Sequence, residues 1–305
     1  MKFIKAIPLA VSGISLACAA LSNLLELPGL REIFGVLSAI LLLMFLLRIV
    51  FDFSGVKAEL NSALPLSALP TSTMALMLLS TYAQSAGISA ALYLWFFAII
   101  AHVFIMFLFI KRFVVAFKIE NVFPSWFVAF VGIVTVSTTA PAMNMLFIGQ
   151  TVFYIGLFNY FVCLILVTTR LFKIKSLPEP ARPTIAIFTA PMNLLLVGYF
   201  NSFSPHERSA PLVYVMLTIS IISFIFVSVK MVSLLKIKFY PTYAAFTFPF
   251  VISATSFRIC NNYLSSQGYF FLTPIANVSF WMAMTVVLYV LARYITYFIF
   301  ALKPK

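Results

Sequence analysis

The sequence predicts an all-α integral membrane protein. Ten transmembrane helices are expected to form five helical hairpins with pseudo-fivefold symmetry, in which an inner five-helix pore is surrounded by five outer helices. Three observations support this: apolar residues make up 63 % of the chain and charged residues 9 %, basic residues recur on alternate loops, and a nine-residue pattern occurs twice. No soluble domain of 305 residues has enough interior to bury so much apolar surface, so the expected environment is a bilayer.

Ten segments are long and apolar enough to span a membrane, because a spanning helix needs about 20 mostly apolar residues. They lie at approximately 6–25, 33–53, 65–84, 88–110, 124–142, 147–170, 183–201, 211–235, 241–258 and 271–299. The loops are too short for a soluble domain, so residues 1–305 are predicted to form one transmembrane domain. Lys2 and Lys5 before an apolar run also resemble a signal peptide, but removing that segment would break the pairing of the helices.

The lysines and arginines predict the orientation of the ten spans. With a cytoplasmic N-terminus, 17 of the 20 basic residues fall on the cytoplasmic side, and Arg31, Arg208 and Arg258 fall outside. This excess is typical of cytoplasmic loops, so both termini are predicted to be cytoplasmic. The net charge of +13 does not indicate nucleic-acid binding, because the basic residues lie at the ends of spans rather than in one patch.

A repeated pattern organises the odd-numbered spans. Residues 183–191 and 241–249 both read P-T-x-A-x-F-T-x-P, with six identities in nine positions. Pro70 and Pro124 begin shorter Pro-Ser/Thr echoes, and the four copies follow at steps of 54, 59 and 58 residues. Such a period indicates an array of similar units. Because proline is favoured in the first turn of a helix, we interpret these prolines, with Pro8, as the cytoplasmic starts of five inner helices.

The candidate pore residues lie in and around this repeat. Phe248 precedes Pro249, and a proline within a helix frees a carbonyl and kinks the helix, which would aim Phe248 at the axis as a gate. Pro191 is the equivalent kink position in the other copy. The other residues predicted to line the pore are Phe246, Phe188, Thr189, Thr247, Gly132 and Gly13. Because the chain has 35 phenylalanines, a simple packing role remains the alternative for each of them.

The charge distribution favours a passive anion pathway. All seven acidic residues lie in loops or at helix ends, whereas coupled transporters usually place ionisable groups within the membrane. Five helix N-termini would meet at the inner mouth, and their dipoles, together with nearby lysines and arginines, attract anions. Coupling through hydroxyl or backbone groups is not excluded by this pattern.

The sequence predicts neither a metal site nor a catalytic set. His102 lies on an outer span, where we expect a hydrogen-bonded packing residue, and His206 lies in a loop, so the two build no shared metal site. The three cysteines have apolar surroundings and no metal-ligand spacing; they are Cys18, Cys163 and Cys260. The protein is therefore predicted not to be an enzyme and to need no cofactor.

The chain resembles the tellurite-resistance/dicarboxylate transporter family, which includes TehA proteins, fungal malate permeases and plant slow anion channels. The matching residues are Pro124-Ser125-Trp126-Phe127-Val128 with Gly132, Ala181-Arg182-Pro183-Thr184, and Thr247-Phe248-Pro249. The resemblance implies a homotrimer with one pore per subunit and a pore occluded by a phenylalanine that corresponds to Phe248. It also implies a place in the cell inner (plasma) membrane and a small anion substrate such as chloride, nitrate or malate.

Three functional hypotheses remain open. The first is an anion channel gated by Phe248. The second is a proton-coupled carrier or exporter of C4-dicarboxylates or other organic anions, including efflux of the tellurite-resistance type. The third is a membrane-embedded enzyme or scaffold, for which the sequence offers no buried catalytic set. Arg258, near the outer end of the ninth span, is expected either to attract anions or to extend towards the lipid headgroups.

Overall fold

The computed structural model describes residues 1–25, 27 and 29–302, and this part of the chain contains helices and no strands. Its ten long helices are α1 (Val11–Leu25), α2 (Leu30–Phe51), α3 (Ala63–Ser85), α4 (Ala91–Val114), α5 (Trp126–Met143), α6 (Leu146–Lys173), α7 (Glu179–Ser202), α8 (Ala210–Leu234), α9 (Pro241–Ser265) and α10 (Thr273–Leu302). Glu26, Lys303 and Lys305, which the sequence assigns to a loop and a tail, lie outside the described residues.

Helices α2 to α10 are long and apolar enough to cross a membrane, whereas α1 is an apolar helix of 15 residues. A span beginning at residue 6 was predicted, but the short helix Lys2–Ala6 ends before Pro8 and α1 begins only at Val11. Pro70 interrupts α3 in the same way, between Ala63–Ala68 and Thr71–Ser85. Proline has this effect because it lacks an N–H and disfavours helical backbone in the residue before it.

Burial separates the helices into two classes. Of the most apolar window of each helix, 56–89 % is buried in α3, α5, α7 and α9, against 22–33 % in the five even-numbered helices. In α1, every described residue except Asn23 is buried. A helix buried on all sides belongs to the interior of a bundle, whereas one with a wide exposed apolar face is suited to lipid. The predicted division into inner and outer helices is thus confirmed.

The five odd-numbered helices form a closed ring. Helix α1 packs on α3, α3 on α5, α5 on α7 and α7 on α9, and α9 returns to pack on α1. Each even-numbered helix packs against the odd-numbered helix that precedes it in the chain, which makes five consecutive hairpins. This architecture, an inner five-helix ring within an outer ring, confirms the predicted fold class.

Two of the inner helices begin as 3₁₀ helices and continue as α-helices. Helix α7 is a 3₁₀ helix over Glu179–Thr189 and α-helical from Ala190, and α9 is a 3₁₀ helix over Pro241–Phe246 and α-helical from Thr247. Pro191 and Pro249, proposed from the sequence as kink positions, therefore lie in the first turn of the α-helical parts. Because proline lacks the N–H that would continue the hydrogen-bond ladder, each of the two prolines coincides with the change from a 3₁₀ helix to an α-helix.

Arg258 joins the far ends of two inner helices. The sequence placed the end of the ninth span at this residue, but α9 continues to Ser265. The half-buried Arg258 donates a hydrogen bond of 2.8 Å from Nη1 to the carbonyl of Leu24, in the last turn of α1. A cation at a helix C-terminus satisfies a free carbonyl and complements the helix dipole. This contact joins α9 to α1 where the ring closes, a role that neither hypothesis for Arg258 included.

Candidate functional site

A cavity of about 300 Å³ lies inside the ring and is lined by segments that belong to all five inner helices or lead into them. We call the end of the cavity where these segments begin the mouth; it is lined by Pro8, Pro65, Ser125, Thr184 and Pro241. The deepest lining residues along the five helices are Leu16, Met74, Gly132, Leu194 and Pro249. The cavity thus occupies only the first few turns of the inner helices and ends in a largely apolar layer.

The two long copies of the repeat present the same positions to the cavity. Four pairs of equivalent residues line the cavity, and the members of each pair are 58 positions apart. The pairs are Thr184 and Thr242, Ile187 and Ala245, Ala190 and Phe248, and Pro191 and Pro249. Equivalent helices in a pseudo-symmetric ring turn equivalent faces to its axis, so the repeat in the sequence corresponds to one shared cavity face. At the position before the second proline, one copy carries phenylalanine and the other alanine.

Phe248 belongs to the deep end of the cavity. Its side chain is 8 % exposed and lines the cavity one residue before Pro249. Of the other residues proposed from the sequence, Gly13, Gly132 and Pro191 also line it. The structure thus brings Phe248 together with both glycines and both prolines, which come from four different inner helices.

Four other residues that the sequence predicts to line the pore lie outside the cavity lining. They are Phe246, Phe188, Thr189 and Thr247. The Phe188 ring lies 5.5 Å from Phe127 and 6.2 Å from Phe226 of the outer helix α8. Phe246 is fully buried against Tyr243, with ring centroids 4.8 Å apart. Successive residues rotate by about 100–120° around a helix, so residues one or two positions before Phe248 face away from the axis.

Gly132 lets the helices approach closely beside the cavity. A Cβ atom at Gly132 would lie 2.8 Å from Met74 Sδ and 3.2 Å from His102 Cε1. A Cβ atom at Gly13 would meet Ala244 Cβ at 3.3 Å, which is a milder contact. Gly132 therefore allows α5 to pack closely on α3 and α4, in addition to its place in the cavity wall.

Four hydroxyl residues follow the signature prolines and line the cavity; they are Thr71, Ser125, Thr184 and Thr242. Thr71 donates to the carbonyl of Ala68 at 2.9 Å, and Thr184 donates to that of Ala181 at 2.6 Å. Thr242 donates to the carbonyl of Pro180. Because a hydroxyl has one hydrogen to donate, these three side chains tie down backbone and offer mainly acceptor oxygens to the cavity.

The cavity wall carries little charge. Among the described lining residues, Glu59 has the one charged side chain, and no lysine or arginine lines the cavity. The sequence had suggested that cytoplasmic lysines and arginines would surround the inner mouth. Most of the described lysines and arginines on this side have exposed side chains, whereas Arg48 and Arg170 are buried away from the cavity lining. An unpaired cation inside a narrow apolar cavity is poorly solvated.

A buried polar network joins α7 to α9 beside the cavity. Asn193 donates from Nδ2 to the carbonyl of Thr189 at 2.6 Å and to Ser253 Oγ at 3.1 Å, and it accepts a hydrogen bond from Ser256 Oγ. Ser253 donates to the carbonyl of Pro249 at 2.7 Å. Sequence reasoning missed Asn193, although its place two residues after Pro191 was an available signal. The network fixes the backbone around Pro249, and therefore around Phe248.

Replacing Asn193 by alanine is expected to lower the stability of the protein by about 2 kcal/mol, because it leaves buried partners unsatisfied. Thermal unfolding in detergent, followed by intrinsic fluorescence, measures this loss. Asn201→Ala is the control, since Asn201 is exposed and makes one hydrogen bond, to the carbonyl of Thr138. Equal unfolding temperatures for the two variants would show that the network does not hold α7 to α9.

The histidines and cysteines take structural positions. His102 is fully buried and its Nδ1 lies 2.8 Å from Thr73 Oγ1, which confirms the prediction of a hydrogen-bonded packing residue. The cysteines are buried and unpaired. Within residues 1–25, 27 and 29–302, no three His, Cys, Asp or Glu side chains come together as a metal site.

A closed ring of helices around a largely apolar cavity, enclosed by helices with exposed apolar faces, defines a multi-pass membrane channel or transporter. The chain matches the SLAC1 family, described as voltage-dependent anion channels, over residues 6–295. Because this match covers nearly the whole sequence, the protein belongs to the SLAC1 family. Its general activity is therefore that of an anion channel or transporter. No curated protein matches the chain.

Proposed function

We propose that the protein is an anion channel of the cell inner (plasma) membrane whose pore is closed by Phe248. The observation that carries this proposal is the asymmetry of the repeat at the deep end of the cavity. Phe248 stands where the other copy has Ala190, and both line the same cavity. An aromatic side chain facing a layer of mostly aliphatic residues makes a hydrophobic constriction, which excludes water and ions until the side chain moves.

Selection for anions is proposed to come from the backbone of the inner helices. Signature segments of all five repeats converge on the mouth, and the N–H groups at helix starts carry a partial positive charge. The described residues of the wall include no basic side chain that would hold an anion tightly. Conduction requires binding that is weak enough for the ion to leave again. This arrangement therefore favours conduction of an anion over tight binding of it.

Passive conduction is favoured over coupled transport by the position of the acidic residues. Glu59, the one charged residue among the described residues of the wall, lies in the short helix Phe53–Glu59 between α2 and α3, not within a span. Coupled transporters usually place ionisable groups within the membrane. The proposal includes cytoplasmic termini, from the distribution of basic residues, and a homotrimer, from the family. Chloride, nitrate and malate are candidate substrates.

Phe248→Ala is the test of this function. Removing the ring is expected to raise the anion current in planar bilayers at least about tenfold, which corresponds to lowering a barrier by about 1.4 kcal/mol. Phe188→Ala is the matched control, because Phe188 belongs to the other copy of the repeat and lies outside the cavity lining. Its current should equal that of the parent protein.

Two results would contradict the proposal. A folded Phe248→Ala protein that conducts no better than the parent would remove Phe248 as the gate. An anion flux that saturates and follows an imposed pH gradient would indicate a proton-coupled carrier instead of a channel.

A further inference from the structure

Among the residues that the structure describes, the cavity wall contains one carboxylate, in a chain with a net charge of +13. Glu59 is the last residue of the helix Phe53–Glu59, and its side chain is 43 % exposed. Its Oε1 lies 2.6 Å from Nη2 of Arg48, near the end of α2. A negative charge in the wall is unexpected for a pathway that carries anions, so its surroundings decide what it does.

Arg48 is a buried guanidinium whose donors are used on several sides. The residue is 5 % exposed, and Nη1 donates to the carbonyl of Lys5 at 2.8 Å and to that of Ile7. Its Nε lies 2.8 Å from Asp52 Oδ2, within ion-pair distance but outside good hydrogen-bond geometry. Arg48 therefore connects the chain before α1 to two carboxylates, Asp52 and Glu59.

The absence of a side chain at Gly55 leaves room for the carboxylate of Asp52 beside Arg48. Its side chain is 10 % exposed, and a Cβ atom at Gly55 would lie only 2.4 Å from Asp52 Oδ2. The buried Asp52 already balances the single positive charge of Arg48. The second carboxylate, Glu59, leaves the three residues with a net charge of −1, and Glu59 is the member that reaches the cavity.

We infer that Glu59 makes the mouth selective for monovalent over divalent anions, an inference that rests on the proposed channel function. The energy of repulsion between two charges is proportional to each charge. A dicarboxylate or sulfate is therefore repelled twice as strongly as chloride or nitrate at the same distance. No lysine or arginine within the described part of the chain lines the cavity and compensates for the second charge.

The test removes this charge without removing the side chain. In a Phe248→Ala background, Glu59→Gln keeps a group that pairs with Arg48, and conductances are recorded with chloride, nitrate, sulfate and malate. All anion currents are expected to rise, and the factor for a divalent anion should be roughly the square of that for a monovalent one. Glu120→Gln is the control, since Glu120 is exposed and outside the cavity wall; it should change no ratio.

A second measurement varies the ionic strength. The Debye length falls from about 30 Å at 0.01 M to about 10 Å at 0.1 M ionic strength. The malate-to-chloride permeability ratio of Phe248→Ala should therefore rise as an impermeant salt is added, and Glu59→Gln should abolish this dependence.

The two levels of the proposal fail separately. A Phe248→Ala protein without anion current overturns the proposed function and the inference with it. A conducting Phe248→Ala protein whose malate-to-chloride ratio responds neither to Glu59→Gln nor to ionic strength overturns only the role of Glu59. The inference is also overturned if Glu120→Gln shifts the ratio as much as Glu59→Gln does.

Discussion

Adding Ala190→Phe to Phe248→Ala is expected to close the pore again. Ala190 occupies in α7 the position that Phe248 occupies in α9, one residue before a proline, and both side chains line the deep part of the cavity. Helices α7 and α9 are neighbours in the ring. A phenylalanine at residue 190 therefore reaches the same layer from the next helix, and the space left by the removed ring accommodates it.

The expected size of this effect is the full reversal of the gain from Phe248→Ala. Planar-bilayer currents of the double variant should return to the parent level, whereas Phe248→Ala with Ala190→Ser should stay open, because serine is too small to fill the layer. A fully conducting Ala190→Phe double variant with an unchanged unfolding temperature would show that occlusion does not depend on an aromatic ring in this layer. That result would also contradict the equivalence of the two repeat copies.

Gly156→Ala is expected to lower the free energy of unfolding by about 2 kcal/mol, the difference between a steric clash and a gain in helix propensity. A Cβ atom at Gly156 of α6 would lie 2.0 Å from Val134 Cγ2 in α5, a distance that no real contact allows. Valine is stiff about χ1, so the backbones have to separate, and overpacking of this kind costs about 1–3 kcal/mol. The higher helix propensity of alanine works in the opposite direction by about 1 kcal/mol, and the clash outweighs it.

Gly35→Ala is the matched control for this prediction. Gly35 lies in another outer helix, α2, and a Cβ atom there would meet Tyr82 at 3.6 Å and Ser22 at 3.7 Å, both ordinary contacts. Without a clash, helix propensity decides, and a small gain in stability is expected. Thermal unfolding of both variants in the same detergent should therefore show shifts of opposite sign. Shifts of the same sign would contradict the packing argument for Gly156.

Much of the fold follows from patterns that act along the chain. A span must be long and apolar because the bilayer offers no hydrogen-bonding partners, so hydropathy locates the helices. The lysines and arginines indicate which end of each helix faces the cytoplasm, and the prolines at residues 8, 70, 124, 183 and 241 mark the inner helices. The largest errors were at the ends of spans, as at Val11 and Ser265, where a proline or a charged residue was given too much weight.

The pore face was harder to predict, because it depends on rotation around a helix axis. The repeat contains Phe246, Thr247 and Phe248 in succession. Their composition alone does not distinguish which of the three side chains faces the pore. The 3₁₀ start of α9 decides which of them faces the axis, and a one-residue change in register would exchange Phe248 for a neighbour. Inner helices are buried on all sides, so hydropathy carries no signal about that rotation.

The sequence alone is enough to predict the membrane environment, the helix pairs and the repeated unit, because these depend on solvent and on local backbone chemistry. Tertiary structure was needed to join residues that the chain keeps apart: Arg258 with Leu24, Asn193 with Ser256, and Ala190 with Phe248 around one cavity. It also placed Glu59 in the wall of that cavity, through its contact with Arg48. Such pairings arise only when five helices close into a ring, since closure fixes which side chains meet at its centre.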